Sequence, residues 1–421
     1  MTDAAASGTP LAPEDIARIQ RRTVGVLSVA QVLGGIAFGA TISLGAVLAA
    51  DISGDEAFSG LAAAAVTFGT ALIAIPLARL ARRRGRRLSL ATGMMIALVG
   101  VSLVVLAASV RSFPLLLAAF LLVGGGQAAN LQSRFAAADL ATDASRGRDL
   151  SIVVWATTIG AVLGPNLTGP GELIGDAIGM PALTGPYVFT IIGQLLAIVL
   201  YFTALRPDPL LLAQRVDSDA AASTESAPIA KPDQPRVARY AIFAIAAAHG
   251  VMVAVMAMTP VHLLHQGATL TVIGITISLH IAGMYALSPV FGILADRLGR
   301  IPTILLGQMI LAVALITASF GQDSPIAVTI GLVLLGLGWS ATTVAGSALL
   351  TEASSETERT RRQGLSDFTM SIVAAAGAIL AGVILGWIGY GGLSLLVGVA
   401  VIAVIALAPL GRRPVGTVAP G

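Results

Sequence analysis

The chain has no cysteine, a single lysine (Lys231) and only 11% charged residues in 421. The missing cysteine excludes disulfides, thiolate metal sites and thiol nucleophiles together. Soluble domains carry about 25% charged residues, so this composition excludes an ordinary soluble enzyme, a nucleic-acid-binding module and a disordered scaffold. No Walker loop or catalytic triad is present, so the chain by itself is neither an ATP-driven pump nor an enzyme, and no cofactor is expected. No acid sits near the middle of any long apolar run, and the first run offers only Gln31 and hydroxyls. That argues against an antiporter driven by a carboxylate buried in the first helix. A sensor is also disfavoured, because no folded soluble domain accompanies the apolar runs.

What is present is hydrophobic: 56% of residues, with a mean hydropathy of +0.89. A membrane helix needs roughly 20 mostly apolar residues to cross ~30 Å. Twelve such stretches are expected, at 24–50, 58–80, 88–109, 113–138, 150–170, 184–204, 240–264, 271–294, 302–320, 325–350, 365–388 and 392–410. The first is far longer than the ~7–15 apolar residues of a signal peptide. Basic residues in short loops mark the cytoplasmic side. With both termini inside, 23 of the 25 cations are cytoplasmic, the exceptions being Arg111 and Arg134. Outer loops carry Asp51, Asp55, Glu56, Glu172, Asp176 and Asp323. The expected location is the inner membrane, with the lipid bilayer and a small transported solute as partners, and with the protein acting as a monomer.

The expected fold class is an all-α membrane protein: twelve transmembrane helices in two pseudo-symmetric six-helix bundles. The organisation is a cytoplasmic segment 1–23, an N-terminal bundle 24–205, a linker 206–239, a C-terminal bundle 240–410 and a tail 411–421. The linker is rich in Ala, Ser, Asp and Pro and reads as disordered. The halves repeat at an offset of about 212–215 residues. Ala78-Arg-Leu-Ala-Arg82-Arg-Arg-Gly85-Arg86 answers Gly292-Ile-Leu-Ala-Asp296-Arg297-Leu-Gly299-Arg300, and Gly124-Gly-Gly126 answers Gly336-Leu-Gly338. Duplicated halves are how many secondary transporters are built, with substrate at mid-membrane.

Gly292 to Arg300 resembles the loop motif G-x-L-x-D-R-x-G-R of the major facilitator superfamily. The resemblance implies a cytoplasmic gate built from Gly292, Asp296, Arg297, Gly299 and Arg300. The first copy departs from the pattern, with Arg82 in place of the Asp and Ala78 in place of the Gly. Arg82 to Arg87 therefore read as positive-inside anchors. Gly160 to Gly164-Pro165 on the fifth helix resembles part of the antiporter motif, although small residues also serve helix packing.

Soft and polar side chains gather on two spans. His249, Met252 and Met256 stand at i, i+3 and i+7 on the seventh; His280 and Met284 stand at i and i+4 on the eighth. Each set lies on one helical face. At 1.5 Å per residue Met252 is about 12 Å from the outer surface and His280 about 13 Å, so the two sets lie level. Thioethers with an imidazole suit Cu(I) rather than hard cations; a methionine on an apolar helix is, however, more often packing. Met252-x-x-x-Met256 with His280-x-x-x-Met284 resembles the paired motifs of the CcoA-like copper importers, a branch of the same superfamily. That resemblance implies copper uptake through Met252, Met256, His280 and Met284. The branch also contains riboflavin transporters, so it leaves the substrate open.

The leading expectation is a secondary transporter working by alternating access. Copper would be held by Met252, Met256, His280 and Met284, with His249 as an accessory ligand or proton carrier. The alternative is an organic solute, flavin-like or a drug, held by Gln31, Asn130, Arg134 and Trp339. Arg134 either faces that cavity or snorkels to the inner interface. His262 and His265 read as interfacial residues, as do Trp155 and Trp387.

Overall fold

A computed structural model describes residues 12–54, 58–223 and 233–411. Asp55, Glu56 and Lys231, named above, lie outside them. All regular structure among the described residues is helical, and the chain divides into two compact units, 1–232 and 233–421. The first unit holds α1 (Pro13–Ser53), α2 (Ser59–Arg84), α3 (Arg86–Ser109), α4 (Phe113–Ala136), α5 (Arg146–Asn166), α6 (Thr168–Ala177), α7 (Tyr187–Ala204) and α8 (Pro209–Ser223). The second holds α9 (Pro235–His265), α10 (Leu270–Tyr285), α11 (Ser288–Leu298), α12 (Arg300–Phe320), α13 (Pro325–Glu352) and α14 (Glu356–Ala406).

Nine stretches among the described residues are long and apolar enough to cross a membrane. One of them, α14, breaks at Gly389 (φ 71°, ψ −179°) and so covers both of the last two expected spans. The eighth expected span is divided at Ala286 and Leu287 into α10 and α11, where Pro289 opens the second piece. Pro fits the first turn of a helix, because its missing N–H has no intrahelical partner there. With α1 and the α5–α6 pair, these account for the twelve passages.

Turn chemistry follows the sequence. α1 ends at Gly54 with φ 76°, a left-handed cap that favours glycine. The repeat survives in the backbone: Gly85 (φ 86°, ψ 170°) and Gly299 (φ 100°, ψ 162°) make the same bend between consecutive helices. Helices approach closely at small residues. A Cβ on Gly160 of α5 would lie 2.6 Å from the Cα of Gly35 on α1, and one on Gly338 of α13 would lie 2.7 Å from the Gly307 carbonyl of α12. Large apolar side chains such as Phe320, Trp387 and Ile402 point outward, at 77%, 81% and 67% exposure, as hydrocarbon-facing residues do.

The linker corrects the sequence reading. Its first part is not disordered but forms α8, and the Asp208 carboxylate accepts from the backbone N–H groups of Leu210 and Leu211 at 3.1 and 3.2 Å. The same carboxylate accepts from Arg87 N–H at 2.8 Å, and Leu210, Leu212 and Ala213 are buried. The apolar triplet Leu210–Leu212 was lost in the average polarity of the segment. The other end is also held. Asp233 accepts from Arg362 and from the Ser355 N–H, and although partial burial favours the neutral acid, these bonds hold its carboxyl below the usual carboxylate range.

Candidate functional site

Trp339 lies on α13 between small residues, three past Gly336, where α10 runs close: a Cβ on Gly336 would be 2.6 Å from the His280 carbonyl. The indole is 4% exposed and shares one buried apolar cluster with Met252 of α9 and Met284 of α10, with Met256 and Tyr285 packed against it. Trp339 Nε1–H donates to His249 Nδ1 at 2.8 Å, and Tyr285 meets the indole edge-on at 5.7 Å. Such pairs contribute about 0.5–1.5 kcal/mol beyond area burial. Tyr285 drew no attention in the sequence; its only signal was an aromatic beside Met284.

His280 is fully buried. Its Nδ1 lies 2.7 Å from the Leu332 carbonyl, which can only accept, so Nδ1 carries the proton. Nε2 is left as a bare lone pair, buried without a protein partner. The two sequence faces therefore meet unequally: Met252 and Met284 enter one cluster, His249 turns to Trp339, and His280 turns to α13. Among the described residues no group of three His, Asp or Glu side chains gathers.

In the first unit, Gln31 of α1 donates through Nε2 to Thr157 Oγ1 of α5 at 3.0 Å and to the Asn130 carbonyl of α4 at 3.4 Å. Asn130 packs against Gly34, where a Cβ would come within 2.9 Å of its Nδ2. Both side-chain carbonyl oxygens, Gln31 Oε1 and Asn130 Oδ1, are buried without a donor. An unmet buried acceptor costs about 1–3 kcal/mol, so the arrangement favours a ligand that brings N–H or O–H groups. Arg134, one turn further along α4, is 3% exposed with its guanidinium 4.7 Å from the Phe135 ring centroid. It is enclosed and does not snorkel.

The loop motif also forms as a charge cluster. Arg300 pairs with Asp296 at 3.0 Å and with Glu352 at the end of α13 at 2.6 Å, while Arg297 is exposed. Gly292 is buried, and Gly299 supplies the bend. In the first copy Arg82 to Arg84 are exposed, but Arg86 departs from its reading as a positive-inside anchor. Arg86 is 1% exposed and grips Asp139 through two bonds of 2.8 and 3.1 Å. The missing loop acid was misleading, because the carboxylate comes from beyond the end of α4, 213 residues before Glu352. At the other end of α9, His262 does not pair with His265; its ring stacks on Tyr390 at 4.3 Å and its Nε2 bonds the Gln322 carbonyl at 2.8 Å.

The family model of the Major Facilitator Superfamily matches residues 27–265 and 240–420. The chain belongs to that superfamily. It is 36% identical over 394 residues to the uncharacterized MFS-type transporter YdeG of Bacillus subtilis, covering 92% of this chain and 91% of that one. It is 30% identical over 386 residues to the riboflavin transporter RfnT of Brucella anthropi, covering 87% and 90%. Its fold matches the human organic anion transporter TETRAN (TM-score 0.74, 16% identity, 92% and 99% covered) and the fucose transporter FucP in its outward conformation (0.64, 15%, 93% and 98%). The protein is a multi-pass membrane transporter of this superfamily and not an enzyme.

Proposed function

We propose that this transporter moves a small planar organic solute of the flavin type across the cell membrane by alternating access. The observation that carries the reading is the Trp339–Tyr285–His249 group, where aromatic faces stand beside a polar ring edge. Ring faces attract a flat conjugated ligand, and the polar edge orients it. The relationship to RfnT supports the same class. The membrane is the inner one, with both termini cytoplasmic, because the Arg-rich loops all fall on one side under the positive-inside rule. Arg300 with Asp296 and Glu352, and Arg86 with Asp139, then act as cytoplasmic gate contacts.

A second reading keeps copper. A histidine whose Nδ1–H is held by a carbonyl while Nε2 stays bare is the arrangement metal-binding imidazoles use, and Met284 stands one turn along from His280. Cu(I) on thioethers and one imidazole needs no cysteine. One experiment separates the two. In a riboflavin-requiring strain, Trp339→Ala abolishes riboflavin-dependent growth at limiting supply, and Met252→Leu with His280→Ala leaves growth unchanged. The opposite pattern, with radiolabelled copper uptake lost in the Met/His variant, replaces the flavin reading with copper.

A further inference from the structure

The hydrogen bond between Trp339 and His249 has a polarity fixed by chemistry. An indole N–H can only donate, so the imidazole nitrogen 2.8 Å away must accept. The lone pair of Nδ1 is thus engaged, and the proton of the neutral ring resides on Nε2. A second proton can enter only at Nδ1. Once there, two N–H groups face each other and the bond is lost. Protonation of His249 and the Trp339 hydrogen bond are therefore mutually exclusive, whatever the affinity of the ring for protons. Trp339 is also the residue against which Tyr285 stands edge-on and around which Met252 and Met284 pack. Releasing the indole disturbs the whole aromatic group.

We propose that His249 is the proton-binding site through which this transporter couples solute movement to the proton gradient, with Trp339 as the positioning residue that passes the change to the solute. This rests on the reading that the solute contacts the Trp339 group, and it adds the coupling ion. His249 is half-buried, whereas His280 is sealed. The helices packed on α9 bring few other ionisable groups. α12 carries only Arg300 and α13 only Glu352, which pair with one another at one end of the bundle. α10 brings Tyr285, beside the indole, and His280, held by Leu332. α14 brings Asp367 and Tyr390 within its buried length; Tyr390 is bonded to Thr259 and stacked on His262. The charged first turns of α14 begin at Glu356, while α9 meets α14 at Gly250 and Val373. From Val373, Asp367 lies about 9 Å back along the axis.

The test uses the full chain with Trp155 and Trp387 changed to Phe, leaving Trp339 as the one indole; both replaced residues are exposed, at 40% and 81%. Emission of the purified protein is followed as pH falls. The expected result is a one-proton transition that His249→Gln removes, because the amide oxygen still accepts the indole N–H but does not titrate. The same transition in His249→Gln overturns the proposal. In proteoliposomes with an inward proton gradient, the unmodified protein concentrates riboflavin, whereas His249→Gln does not; an unchanged thermal unfolding temperature in detergent shows that the variant is folded. Trp339→Phe, which frees Nδ1 from its donor, shifts the pH midpoint of transport upward; an unmoved midpoint contradicts the positioning role. If riboflavin crosses in no case but the emission transition still depends on His249, the flavin reading fails and the proton site stands. Gradient-driven accumulation undiminished in His249→Gln removes the proton site and leaves the flavin reading intact.

Discussion

Arg86 and Arg300 each open a helix directly after a glycine bend, and each turns inward onto a carboxylate at the end of a neighbouring helix. For Arg86 the enclosure is nearly complete on both sides, at 1% and 0% exposure. Removing one partner of a buried pair strands the other charge, at a cost of about 3–5 kcal/mol. Arg86→Gln therefore lowers the unfolding temperature of the detergent-solubilised protein markedly, whereas Arg83→Gln, in the exposed part of the same run, leaves it unchanged. Equal effects of the two would contradict the pairing. Part of this was legible: the offset of 214 residues between Gly85 and Gly299 located the repeated bend. The partner Asp139 was not, since pairing across 53 residues leaves no local trace in sequence. The same limit explains His249. Its helical face suggested a ligand set shared with Met252, but its Nδ1 accepts from Trp339 on α13, a partner 90 residues away.

At the scale of elements, hydropathy predicted where helices run and missed how they break. α10 and α11 read as one apolar span because residues 286 and 287 are as apolar as their neighbours; Ala286, Leu287 and the start of α11 at Ser288-Pro289 divide it. The helix α8 was hidden for the converse reason, a short apolar triplet inside a polar segment. Crossings are fixed by small residues, which let backbones approach without a hydrophobic driving force between helices. Gly338→Val places its Cβ within 2.7 Å of the Gly307 carbonyl and forces α12 from α13, with an expected loss of about 1–3 kcal/mol. Gly25→Ala on α1 meets nothing within 4 Å and is silent. Thermal unfolding of the two variants side by side checks this, and a silent Gly338→Val would contradict the close crossing.

For the whole molecule, composition specified a membrane protein, and the repeated halves with the loop motif pointed to a transporter, which the superfamily match bears out. The substrate was not readable in the same way: the Met and His pattern pointed to copper, and relatedness to a riboflavin transporter supports an organic solute instead. The absence of cysteine makes the proposed orientation directly testable. A membrane-impermeant maleimide labels Ser109→Cys on intact cells, and labels Thr142→Cys only after permeabilisation; both positions are exposed. The reverse pattern inverts the topology. The most direct measurement is uptake by the purified full-length protein in proteoliposomes, with riboflavin and Cu(I) offered separately. Saturable riboflavin uptake that Trp339→Ala abolishes, with no copper uptake above that of empty vesicles, is the expected result. Copper uptake dependent on Met252 and His280, with riboflavin left outside, would contradict the account.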